Sequence, residues 1–350
     1  MGVNGLTKLL KKRAPSSIKY GKMVKYSGSI VAVDAMLILY KYGIALGSNF
    51  MRKDGKNLSH LLALLFDILS KLNKKIFPYF IFDGKAPLMK KKILQERRNR
   101  KLRASKKLES KSGELSPSDK KKFFKRSFSI NDTQIRECQQ LLEYMGIPYI
   151  VSPGEADSQL AALGMVGLYV VTEDMDTAAF GTPIILRNFS NKKIVMEIQL
   201  KNILKELKLN YEQFVELCII LGTDYCPSIK GLGTIGIYDE YVKYKNMNKF
   251  INALKEHNKN LIQNGQQHKY IIPDIFEKNW IKVKKYYMQA KVYNPNDIKI
   301  VWKKPRVNDL YRFLIKENEF KKDVTLEKIN ELVKLYNVLG RKINQKIRTT

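Results

Sequence analysis

Four apolar runs in this chain each lead into a carboxylate, and that recurrence restricts the fold more than any other feature of the sequence. Residues 29–33 (SIVAV) end on Asp34 and residues 77–82 (FPYFIF) end on Asp83. Residues 149–151 precede Glu155 and Asp157, and residues 169–171 turn through Thr172 and Glu173 to Asp174 and Asp176. Short, near-continuous apolar runs rich in Val, Ile and Phe are the pattern of strands buried on both faces. The predicted fold class is therefore α/β, with a twisted, mostly parallel central sheet and helices on both faces. In such sheets ligands bind beyond the carboxyl ends of the strands, where these acids recur. Taken singly, each acid has an ordinary use as a helix cap, a surface turn residue or a partner for a helix N-terminus.

The intervening segments supply the helices. A glycine-punctuated turn, MGVNGLTKLL, opens into a short amphipathic helix, and residues 35–46, 58–72, 131–145 and 211–221 carry helical periodicity. Two further strands are predicted over residues 183–187 and 193–198. The helix over 211–221 runs into Gly222-Thr223-Asp224, and residues 229–234 (IKGLGT) have the glycine spacing of a helical hairpin whose backbone amides can meet a phosphate. From residue 238 onward the pattern is mostly helical, with Trp280 and Trp302 as packing anchors.

Charge narrows the partners. The chain has 64 Lys plus Arg against 33 Asp plus Glu, a formal net charge of +31. An excess of that size repels itself in the compact state and calls for a polyanionic partner, nucleic acid first and an anionic membrane second. The membrane is disfavoured because no apolar run approaches the roughly 20 residues that span a bilayer, and Leu6 stands where a myristoylation signal needs Ser or Thr. Cys138, Cys218 and Cys226 form neither a CxxC nor an even set, which implies an intracellular, reducing setting without a zinc site. His60, His257 and His268 sit in no nucleophile motif, so catalysis would run on carboxylates. Residues 90–126 concentrate sixteen Lys or Arg against four acids. They are either a solvated insertion or two helices that order against phosphates.

Asp34, Asp83, Glu155, Asp157, Asp174, Asp176 and Asp224 thus recur at equivalent ends of their segments. Converging carboxylates repel unless cations neutralise them, and all-oxygen ligands suit hard ions such as Mg2+, with Mn2+ able to substitute. Two such ions roughly 3.5 to 4 Å apart can activate a water and stabilise the leaving oxygen of a phosphodiester. An acidic pocket inside a basic protein reads as a nuclease.

The motifs that carry these acids resemble those of the flap endonucleases, in the structure-specific 5′ nuclease superfamily, as a viral or otherwise divergent member. The resemblance runs from Met1 to about residue 322 through MGVNGLTKLL, VAVDA, FIFDGKAP, MGIPYIVSPGEAD, TEDMDTAAFGTP and LCIILGTDYCPSIKGLG. It implies a PIN-like 5′ nuclease fold, two Mg2+ ions, and endonucleolytic cutting of DNA at 5′ flaps and other single-strand to duplex junctions, with 5′–3′ exonuclease activity. By the same resemblance Asp34, Asp83, Glu155 and Asp157 surround one metal, and Asp157, Asp174, Asp176 and, less directly, Asp224 the other. Glu173 is not expected to be a ligand. Lys90 and Arg97 fall where the family places basic catalytic residues on its first arch helix, with Lys91 and Arg98 as neighbouring DNA contacts. Gly2, Tyr40, Gly231 and Gly233 are further expected DNA contacts, Tyr40 as a stacking platform or a core tyrosine. The implied organisation is a nuclease part over 1–89, a basic helical arch over 90–130, a second nuclease part over 131–226, and a helix-hairpin-helix and C-terminal helical region over 227–350.

Departures from the family pattern bear on the substrate. Asp157 stands where a Glu is usual, Thr234-Ile235-Gly236 replaces a basic run after the GLG turn so that duplex contact would lean on Lys243 and Lys245, and residues 317–324 do not clearly retain the groups that grip a 3′ flap. No sliding-clamp docking motif is read at the C-terminus, and a monomer in the nucleus or at a site of viral DNA replication is expected. Three other readings stand beside the flap nuclease: a bubble- or junction-preferring repair nuclease, a catalytically inactive DNA-binding scaffold, and an RNA-cleaving domain of similar fold.

Overall fold

The computed structural model describes residues 2–47, 50–110, 115–190 and 192–347, with 341–347 as backbone only. Lys111 and Glu114 of the basic segment lie outside this set, as does the chain end on which the clamp-motif expectation falls.

In chain order the structure contains α1 (Leu6–Arg13), β1 (Ile18–Gly21), β2 (Ile30–Asp34), α2 (Ala35–Leu46), α3 (Ser59–Leu72) and β3 (Phe77–Phe82). The basic segment follows as α4 (Lys91–Ser110) and α5 (Pro117–Ser127), then α6 (Asp132–Met145), β4 (Tyr149–Val151), α7 (Ala156–Met165), β5 (Tyr169–Val171) and the single turn α8 (Asp176–Ala179). After these come β6 (Ile184–Arg187), β7 (Val195–Gln199), α9 (Leu200–Leu207), α10 (Tyr211–Leu221), α11 (Thr234–Tyr244), α12 (Met247–Gln263) and α13 (Asp274–Met288). The chain closes with α14 (Val307–Tyr311), a π-helical stretch Arg312–Glu317 and α15 (Lys322–Ile347).

These elements divide into two compact units, one formed by Met1–Met23, Gly84–Lys90 and Ser152–Asn296, the other by Val24–Asp83, Lys91–Val151 and Asp297–Thr350. In the first unit β5 runs parallel to β6, while β6 and β7, and β7 and β1, are antiparallel. The flank is antiparallel while the pairs β5–β6, β2–β3 and β3–β4 are parallel, in line with a mostly parallel sheet. β6 and β7 are antiparallel because residues 188–194 join them by a short connection, whereas a parallel return needs a crossover of about a dozen residues or more. β1 carries no apolar pattern, Lys19 and Tyr20 both being exposed, so it is invisible in the sequence.

The core of this unit joins Leu6, Leu9 and Leu10 of α1 to Phe214, Leu217 and Ile219 of α10, Ile237 and Tyr241 of α11, and Phe276 and Val283 of α13. α10 begins in a capping box between Asn210 and Gln213, which satisfies two of its orphan amides and fixes where the helix starts.

In the second unit β2 and β3 are parallel, as are β3 and β4. All six residues of β3 are buried, as the unbroken FPYFIF run predicts, and each fully buried Phe contributes about 2 kcal/mol of transfer free energy. Asp34 ends β2 opposite Ile81 and caps α2 by accepting a 3.1 Å hydrogen bond from the Leu37 amide. α6 starts in a second capping box, between Asn131 and Gln134. Trp302 is buried with its ring edge-on to Phe77, while Trp280 is only partly buried against the core of the first unit. Among the described residues no helix is long and apolar enough to cross a membrane.

Candidate active site

Five of the seven predicted carboxylates belong to the first unit, and local backbone geometry fixes each of them. Glu155 is the residue before α7, where it is 4% exposed. The Gly84 amide donates to the Gly154 carbonyl at 2.8 Å, and a side chain on Gly84 would run into the Ser152 carbonyl. That close approach brings the Gly84–Lys90 segment to Glu155. Asp157, on the first turn of α7, accepts a 2.8 Å hydrogen bond from the Thr177 hydroxyl.

The corner after β5 is tied by short-range bonds. The Asp174 amide donates to Thr172 Oγ1 at 3.1 Å, and Asp174 Oδ1 accepts from the Asp176 amide at 3.0 Å. Gly2 lies against this corner at φ +82°, where any side chain would collide with Asp174. Glu173 points elsewhere, accepting from Arg187 Nε at 3.1 Å and from the Asn188 amide at 2.6 Å.

Lys90 is the cation among these acids. Its ammonium pairs with Glu155 and lies 3.4 Å from Asp224 Oδ2, its side chain only 12% exposed. Burial works against that charge, but the charge and hydrogen bond of Glu155, with Asp157 and Asp224, outweigh it and push the Lys90 pKa up. Burial raises Asp174 and Asp176 above the usual carboxylate range, and for Asp176 the charges of Asp174 and Asp224 add to it. An acid this desolvated favours its protonated form unless positive charge arrives.

Three tyrosines complete the cluster, and sequence reading does not mark them. Glu155 Oε2 accepts from both Tyr225 and Tyr286, the latter at 3.1 Å, and Tyr287 donates to Asp176 Oδ1 at 2.9 Å. Burial, reinforced by the neighbouring carboxylates, pushes all three phenols up, so they remain protonated donors. Nothing distinguishes Tyr286-Tyr287 in the sequence from ordinary core aromatics on a helix.

The second unit holds Asp34, Asp83, Tyr40 and the basic helices. Asp34 and Asp83 stand at the same ends of the adjacent parallel strands β2 and β3. Tyr40 on α2 is half-buried, its ring edge-on to Phe128 and its hydroxyl 3.2 Å from Lys101 Nζ on α4. Between α4 and α5 lies a groove of about 720 Å3 lined by Arg97, Arg100, Arg103, Lys106, Lys107 and Arg126, with Phe123 and Ala104 in its wall. Lys91 and Arg98 are exposed on α4.

Gly231, at φ +95°, makes the sharp turn of the GLG segment against Lys269, and Gly233 precedes α11 with open space before it. The first α11 amides therefore end at an accessible helix N-terminus, which suits an anion. Lys243 pairs with Glu240, and Lys245 donates to the Lys208 carbonyl.

Among the described residues no three His, Cys, Asp or Glu side chains are already gathered close enough to enclose an ion. The donor chemistry nevertheless fits a hard divalent cation. Asp176 Oδ2 is fully buried without a hydrogen-bond partner, in a carboxylate cluster whose charge is only partly met by Lys90. A buried, unpaired carboxylate oxygen is costly, and a cation removes that cost.

Comparison with known proteins gives a consistent result. The XPG N-terminal domain matches residues 1–104 and the XPG I-region matches residues 146–224. Flap endonuclease 1 of Heterostelium pallidum is 36% identical over 345 residues, covering 95% of this chain and 86% of that protein. Flap endonuclease 1 of Homo sapiens is 33% identical over 334 residues, covering 92% and 84%. Among solved structures, the catalytic core of Rad2 in complex with DNA substrate superposes with a TM-score of 0.70 at 24% identity, covering 95% of this chain and all of that one. The flap endonuclease-1 of Methanococcus jannaschii gives a TM-score of 0.65 at 22% identity, covering 93% and 97%. At those identities the structural likeness establishes the fold, the PIN-like arrangement of a mixed sheet with many helices.

Proposed function

The chain belongs to the flap endonuclease family of structure-specific 5′ nucleases, and we propose that it cuts DNA where a 5′ single strand meets a duplex, using the carboxylate cluster around Lys90 as its catalytic centre. It is a nuclease that hydrolyses phosphodiesters. The observation that carries the proposal is the cluster of Glu155, Asp157, Asp174, Asp176 and Asp224 around one ammonium, Glu155 and Asp176 buried and the other three partly so, with an Asp176 oxygen lacking any partner. A binding or scaffolding role gives no reason to keep so many desolvated acids.

In this reading Asp174, Asp176, Asp157 and Glu155 hold divalent ions, Mg2+ with Mn2+ as a substitute, and Asp224 supports them. Asp34 and Asp83 are proposed as further ligands on the strength of their VAVDA and FIFDGKAP motifs. When bound, two such ions supply the Lewis acidity that lowers the pKa of an attacking water and neutralises the leaving oxygen. Lys90, held protonated by its acidic neighbours, is placed to stabilise charge that develops on a phosphate. The α4–α5 groove, with its fork-shaped guanidinium groups, grips the backbone of the 5′ strand, Arg97 included. The α11 N-terminus behind Gly231 and Gly233 meets a duplex phosphate. The arch spans about residues 90–130. The free, buried state of Cys138, Cys218 and Cys226 fits a reducing compartment.

The test is a panel of labelled 5′-flap, nicked, bubble, four-way-junction and RNA-flap substrates under one Mg2+ condition. The flap should be cut at its junction, faster than the other forms. Absence of product on every substrate with Mg2+ or Mn2+ would overturn the proposal, and a preference for bubble or four-way DNA would redirect it.

A further inference from the structure

The Tyr287 phenol on α13 donates to Asp176 Oδ1 at 2.9 Å across 111 positions of sequence. With Asp176 ionised, the carboxylate can only accept, so the phenol commits its proton to it. The pair is dry, with Tyr287 2% and Asp176 1% exposed, where a hydrogen bond is electrostatically stronger than in water.

We propose that Tyr287 is a positioning residue that fixes the rotation of the Asp176 carboxylate and so sets the affinity for a divalent ion. The inference rests on the metal reading given above. A donor on Oδ1 leaves Oδ2, which has no protein partner, as the oxygen presented to a cation. The Tyr287 ring is held separately, against Phe180 at 4.7 Å and Tyr225 at 5.4 Å between centroids, so removal of the hydroxyl alone keeps the packing. Glu155 differs, because Tyr225 and Tyr286 both donate to its Oε2 and either can stand in for the other.

The experiment is calorimetric titration of the full chain with Mn2+ alone, without DNA. Outer partners of metal ligands are worth about 10- to 100-fold in affinity. Tyr287→Phe should bind Mn2+ about tenfold more weakly than the wild type, with an unchanged thermal midpoint. Tyr286→Phe should change it less. Wild-type affinity in Tyr287→Phe, beside clear binding by the wild type, overturns the positioning role and leaves the metal reading intact. No saturable Mn2+ binding by the wild type overturns the metal reading and the positioning role with it.

Discussion

The carboxylate cluster and the α4–α5 segment are built on opposite principles. In the cluster, Glu155 and Asp176 are buried, and each acid is fixed by a turn, a helix start or a phenol. Along α4 and α5 only Ala104 is buried, and the groove between them is a wall of guanidinium and ammonium groups. The first region is expensive to assemble and is maintained by core packing. The second has almost no core of its own. Chemistry needs atoms held within tenths of an ångström, whereas a grip on a flexible strand needs charge and reach.

The contrast makes graded predictions. Asp174→Ala should cost the most, reducing single-turnover cleavage by more than the roughly 100-fold that an outer partner is worth, while flap DNA still binds. If the Lys90 ammonium serves the reacting phosphate as proposed, Lys90→Ala should follow, slowing cleavage by about 100-fold as for loss of a charge-stabilising donor, and its loss also leaves Glu155 and Asp224 short of a counter-charge.

In the α4–α5 groove, replacing Arg100, Arg103, Lys106 and Lys107 by Ala should weaken DNA binding. It should flatten the plot of log affinity against log salt by about 0.7 for each phosphate of a single strand that is no longer neutralised, with little change in thermal stability. An unchanged salt slope would show that these side chains do not touch phosphate.

The smallest expected effect concerns pH. The raised pKa values of Asp174 and Asp176 mean that their contribution to metal-free stability is present below the unfolded carboxylate pKa near 4 and is lost as pH rises through the folded values. The gain in thermal midpoint on adding Mg2+ should therefore grow as pH rises from about 4, and scanning fluorimetry should find that growth missing in Asp176→Asn.

What can be read in the sequence follows the same division. Asp34, Asp83, Asp174 and Asp176 are legible because a buried strand writes itself as an apolar run, and an acid at its end is conspicuous. The register of the lysine that meets the carboxylates is not, since Lys90, Lys91 and Lys92 are indistinguishable as letters. Burial separates them, with Lys90 turned into the carboxylates and Lys91 and Lys92 exposed at the start of α4. Tyr287 is invisible because its partner lies 111 positions away, and a tyrosine among helix-core aromatics gives no sign of where its hydroxyl ends. β1 and the antiparallel β7 are hard for a related reason, their pairing being decided by a short connection and by neighbours and not by their own residues.

The most direct measurement takes one labelled 5′-flap DNA and determines both its equilibrium binding and its single-turnover cleavage for two proteins, Asp176→Asn and the four-residue α4–α5 variant. If the cluster performs the chemistry and the basic helices the holding, Asp176→Asn keeps its affinity within a few-fold and loses cleavage, while the α4–α5 variant loses affinity far more than it loses cleavage rate at saturating DNA. Retained cleavage in Asp176→Asn would contradict the account.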